Sequence, residues 1–123
     1  MIRLTKQQED IGTIGTSVGG KMRIIITKHM KERQGRDSQR KIHIHDINRM
    51  CRKGLPHVMR LLMLGKLDEH GHIHMVEKST GNNLLGAVMY REQVGTNIMI
   101  TFAVVTVMNH CGFKSGEAIK VDI

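Results

Sequence analysis

Apolar positions along the chain follow two different periods, and the change between them sets the expected fold. Residues 1–21 carry glycines at 12, 15, 19 and 20 with little apolar periodicity, so they read as a mobile glycine-rich arm or a loose first strand. A β-type run, Met22-Arg-Ile-Ile-Ile-Thr27, follows. Thr27 can cap a short helix over 28–34 that Gly35 stops, and 35–41 reads as a polar loop. Asp46 is the expected N-cap of a second helix that continues to Lys53, where Gly54 and Pro56 break it before a further turn or two over 56–64. Spacings of three and four put Ile47, Met50 and Cys51 on one face and Arg49, Arg52 and Lys53 on the other. Leu55, Val58, Met59, Leu61 and Leu62 continue the apolar side.

Beyond Gly65 the period becomes that of strands. The runs 72–76, 84–90, 98–108 and 118–123 are β-rich and separated by the turn-forming clusters 81–83, 95–96 and 112–116. The run 98–108 is apolar on both alternating sets, as a central strand covered on both faces requires. The expected fold class is therefore α+β, with N-terminal helices packed on an antiparallel four- to five-stranded meander sheet. The expected organisation is an arm over 1–21 and a single domain over 22–123.

Composition narrows the function classes. A chain of 123 residues, 40% hydrophobic, has enough apolar material for one core and not for two. The only aromatic residues are Tyr90, Phe102 and Phe113, so the core must be aliphatic, with ten methionines to fill irregular gaps. That scarcity argues against base-stacking platforms. Cys51 and Cys111 fit no metal spacing and the chain opens without a charged-plus-apolar leader, which leads us to expect a reduced, cytoplasmic protein. The longest apolar run is far shorter than the roughly 20 residues a membrane span needs, so no membrane role is expected.

Charge is concentrated. Between Lys21 and Arg60 twelve Lys/Arg face three acids, a net of +9, while the other 83 residues hold seven bases and eight acids. A segment this lopsided has the charge distribution of a polyanion-facing surface. Lys28, Lys31, Arg40, Lys41, Arg49, Arg52 and Lys53 are its candidate nucleic-acid ligands.

Three motifs have to be weighed. Gly15-Thr-Ser-Val-Gly-Gly-Lys21 follows most of the P-loop pattern, but Met22 stands where a Ser or Thr would hold magnesium. The run also leads into a β-type segment instead of a helix, so nucleotide hydrolysis is not expected. The pairs His43/His45 and His72/His74 could each present two imidazoles on one strand face. No third ligand completes either pair at a standard spacing, and a structural or solvated role is the expected one, with no metal or other cofactor. Finally, in a helical segment His29, Arg33 and Arg36 stand at i, i+4 and i+7 on one face. An imidazole beside two guanidiniums can move the proton of a 2′-hydroxyl or a leaving 5′-oxygen while arginine holds the phosphate. From residue types alone, a solvated basic face explains the same pattern.

The run Thr27-x-His29-x-x-x-Arg33, a polar loop, a basic second helix and a meander whose long strand holds Val104-Val-Thr-Val107 together resemble the RelE-like toxin ribonucleases. Within that superfamily the likeness is to BrnT-type toxins and RegB-like phage endoribonucleases, over about 22–108. The resemblance implies a metal-independent endoribonuclease cleaving RNA by 2′-hydroxyl attack, with His29 as general acid or base, Arg33 on the phosphate and Arg36 supporting it. His45 and His74 are equal candidates for a second histidine, and an antitoxin or host protein is an implied partner. The alternatives are a non-catalytic nucleic-acid-binding protein and a phage-encoded inhibitor of a host nucleic-acid enzyme.

Overall fold

A computed structural model describes residues 8–15, 20–27, 30, 43–67, 71–95, 97–109 and 118–123. Six strands form one sheet: β1 (Gln8–Gly15), β2 (Gly20–Thr27), β3 (His72–Glu77), β4 (Asn82–Val94), β5 (Asn97–Asn109) and β6 (Ile119–Asp122). A helix, α1 (Ile44–Met63), precedes β3. The spatial order is β1-β2-β5-β4-β3-β6. β2 runs parallel to β5 and β3 parallel to β6, whereas β1/β2, β3/β4 and β4/β5 are antiparallel.

The expectation of N-terminal helices on an antiparallel meander is therefore wrong. The sheet is mixed and begins before any described helix, and residues 8–15, read as part of an arm or a loose first strand, are a paired edge strand. The error has a physical cause. A strand shielded on one face and carrying Gly12 at φ 135° beside a bulge lacks the apolar alternation that marks a strand in sequence. The expected helix over 28–34 lies outside the described residues apart from Met30, which is buried in the core.

α1 also departs from expectation. Its N-cap is His43, whose Nδ1 accepts a hydrogen bond from the His45 N–H at 3.1 Å, so Asp46 lies inside the first turn and not at the cap. There its charge meets the positive end of the helix dipole. Pro56 does not end the helix. A mid-helix proline costs about 3 kcal/mol, but Ile47, Met50, Cys51, Leu55, Val58 and Leu62 are all buried. Each such side chain contributes roughly 1.5–3 kcal/mol on burial, so tertiary packing outweighs the break. Termination occurs at Gly65, φ 67°, where the Gly65 and Lys66 N–H groups bond back to Leu62 and Leu61 carbonyls.

The core lies between the apolar face of α1 and one face of the sheet, which presents Met22, Ile24, Ile73, Met75, Leu84, Val88, Ile100, Phe102 and Val104. α1 packs on β1, β2 and β3. Gly54 permits the closest approach, since a Cβ there would meet the Met75 side chain at about 2.5 Å. β5 is the interior strand expected from its pattern, with Ile100, Phe102 and Val104 on the helix side and Thr101 and Ala103 buried on the other. Among the described residues no helix is long and apolar enough to cross a membrane.

Candidate nucleic-acid interface

The outer face of α1 combines three of the expected ligands with a basic residue that sequence reasoning left out. Arg49, Arg52, Lys53 and Arg60 follow one another at helical spacing on the side away from Ile47, Met50 and Cys51. Arg52, Lys53 and Arg60 are exposed and Arg49 is half-buried.

Two of these cations are not independent of the fold. Glu77, at the end of β3, lies in the same alternation phase as Ile73 and Met75 and so points to the helix side with its carboxylate 0% exposed. A buried carboxylate must be matched by charge and hydrogen bonds. Arg49 supplies a two-pronged contact, Nε to Oε2 at 3.1 Å and Nη2 to Oε1 at 2.7 Å. Lys53 Nζ donates to Oε2 at 2.9 Å, and the Thr80 hydroxyl donates to Oε1 at 2.6 Å. The hydrogen bond from Arg49, joined by those from Thr80 and Lys53, outweighs desolvation and holds the Glu77 carboxyl down at about 2. Arg49 reaches in the other direction to Asp46, Nη1 to Oδ1 at 2.6 Å. The side chains of Arg49 and Lys53 nevertheless stay 40% and 44% exposed. They are thus held in place at the protein surface with their two positive charges matched by Glu77 and Asp46, which leaves Arg52 and Arg60 as the cations of this row without an ion pair among the described residues. Glu77 was legible in the sequence as a charge on the buried phase of an apolar strand, a position that demands a basic partner.

The candidate histidines do not come together. His45 is exposed in the first turn of α1, its ring stacked on that of His43 with centroids 4.6 Å apart. His74 lies between Ile73 and Met75 on β3 and so faces away from α1. It is buried, with Nε2 2.8 Å from Asn83 Oδ1. These two imidazoles occupy opposite sides of the sheet, so only one of the two alternatives can stand beside His29, which lies outside the described residues. His29, Arg33, Arg36, Lys28, Lys31, Arg40 and Lys41 lie outside the described residues.

Comparison of the chain with protein-family models, curated proteins and solved structures finds no match. What the site can do is therefore argued from its own chemistry.

The remaining motifs resolve simply. Lys21 sits in β2, so the P-loop-like run leads into a strand, and the helix N-terminus that would receive phosphate does not follow it. Among the described residues no group of three or more His, Cys, Asp or Glu could hold a metal ion. Arg23, counted in the basic segment, points to the opposite sheet face and pairs with Asp10 at 2.7 Å. The +9 segment is thus contiguous in sequence but divided in space.

Proposed function

We propose that the chain is a nucleic-acid-binding protein that grips the phosphate backbone of RNA with the outer face of α1. The observation that carries this reading is the row Arg49, Arg52, Lys53 and Arg60, two of whose members are held in position by a buried carboxylate. Arg52 and Arg60 carry the charge that attracts phosphate, since the charges of Arg49 and Lys53 are matched by Glu77 and Asp46. With few aromatic residues to stack on bases, recognition rests on phosphate charge and is largely indifferent to sequence. A reducing, cytoplasmic setting belongs to the same proposal, consistent with Cys51 as a free buried thiol.

The test is fluorescence anisotropy of a labelled single-stranded RNA across a salt series, with Arg52 and Arg60 replaced together by alanine. Neither residue bonds to Glu77, so the variant keeps the clamp. Losing two phosphate contacts should weaken binding and reduce the slope of log K against log salt by about 1.4, at roughly 0.7 per contact. Unchanged affinity and slope in the folded variant would remove α1 as the interface.

The same samples, incubated with EDTA, address the endoribonuclease alternative built on His29, Arg33 and Arg36. Metal-free cleavage leaving 2′,3′-cyclic phosphates, abolished by His29→Ala, would replace simple binding with catalysis.

A further inference from the structure

The sheet face turned away from α1 has a concave region of its own. Thr13, Arg23, Thr101 and Tyr90 form a single cross-strand row over β1, β2, β5 and β4, and Lys21, Met99 and Glu92 follow in the next row, with Lys21 on the far side of Met99 from Glu92. Together with Asp10 these side chains line an open cavity of about 280 Å³. Its size lies near the lower end of small-molecule sites, roughly 300–1,000 Å³, so it fits a small group.

The charges within it are unequal. Arg23 Nε donates to Asp10 Oδ2 at 2.7 Å, so that guanidinium is matched by a carboxylate. Asp10 Oδ1 is also occupied, accepting from the Gly12 N–H at 2.8 Å. Glu92 is left as the unmatched charge, since among the described residues its side chain has no hydrogen bond or ion pair. Tyr90 precedes it by two positions on the same strand face, which places phenol and carboxylate side by side roughly 7 Å apart along the strand. Met99, directly across from Glu92, offers a polarizable apolar surface, and Thr101 stands across from Tyr90.

A carboxylate without an ion pair among the described residues, an aromatic ring and a thioether are the complement of a cation carried on a short hydrocarbon. We propose that this cavity binds the alkylammonium group of a small free amine, its nitrogen between Glu92 and the Tyr90 ring and its carbon chain on Met99. The chain as a whole carries +8, so diffuse attraction does not bring cations to it and saturable binding reports the local site. The site is independent of α1 and lies on the other side of the sheet.

The experiment is an NMR titration of the full chain with n-butylammonium chloride at constant ionic strength, following the Met99 methyl and the Tyr90 ring. Saturable millimolar binding centred on those signals is expected, with n-butanol, which lacks the charge, at least about tenfold weaker. Glu92→Gln should weaken butylammonium by about tenfold or more. Because Glu92 has no hydrogen-bond or ion-pair partner among the described residues, the rest of that variant's spectrum should be unchanged. Absence of binding, equal binding of butanol, or full affinity in Glu92→Gln overturns the proposal. Nα-acetyl-lysine methylamide carries the same ammonium on a peptide. Preference for it over butylammonium would overturn the free amine as ligand and assign the cavity to a lysine side chain.

Discussion

Removing the charge of Glu77 should destabilise the fold more than any surface change of similar size. Its carboxyl is held at about 2 against an ordinary 4.5. At about 1.36 kcal/mol per unit this difference corresponds to a ceiling of about 3 kcal/mol. Arg49 and Lys53 approach from positions 40% and 44% exposed, where solvent screens them, so we expect about 1–2 kcal/mol from Glu77→Gln at pH 7. The converse change is harsher. Replacing both Arg49 and Lys53 by alanine removes both counter-charges from that carboxylate and should destabilise the fold more than Glu77→Gln does. Adding Glu77→Gln to that double variant should recover part of the loss, because a neutral amide needs no counter-charge. The pH dependence follows from a folded-state value below the unfolded one. The contribution is complete above about 4.5 and is lost as pH falls from there towards 2, so wild type and Glu77→Gln should converge in stability near pH 2. Urea denaturation followed by circular dichroism at pH 7, 4 and 3 measures all four proteins. Equal stability of wild type and Glu77→Gln at pH 7, or no recovery in the triple variant, would refute the clamp. Arg49 and Lys53 are for the same reason poor probes of RNA binding, since their removal mixes lost contacts with lost fold.

Two further outcomes test the core. A Cβ on Gly86 would enter the ring of Phe102, which is fully buried, so Gly86→Ala should cost about 1–3 kcal/mol. Phe102→Leu in that background should cost less than the sum of the two single changes, measured by the same denaturation. Burial pushes the Cys51 thiol up to about 12, so in a Cys111→Ser variant a disulfide reagent at pH 8 should label the protein only after denaturant is added.

The two proposed sites share the sheet but not a face. β2 shows how: Met22, Ile24 and Ile26 enter the core under α1, while Arg23 in between faces the cavity with Asp10 and Tyr90. A ligand in the cavity and RNA on α1 would therefore meet no common side chain.

Local periodicity determined much of the secondary structure. The strand runs at 22–27, 72–76, 84–90 and 98–108 and the two faces of α1 were legible because a side chain's exposure alternates with the period of its own element, whereas Asn82 and Asn83, expected in a turn, open β4. Tertiary structure decided what period cannot encode. The parallel pairing of Ile24 with Phe102, and the place of β1 at the sheet edge, depend on contacts between distant segments whose own sequences do not name their neighbours. Pro56 inside α1 is a case of packing overriding local preference. At the candidate interface the basic helix face was readable, and so in principle was Glu77, out of place on an apolar strand phase. That Glu77 meets Arg49 and Lys53 at 2.7 and 2.9 Å, that His45 and His74 are parted by the sheet, and that Arg23 leaves the basic surface for Asp10 were settled only when the chain folded. Charge along a chain is one-dimensional, and the sheet sends alternate residues to opposite sides of the molecule.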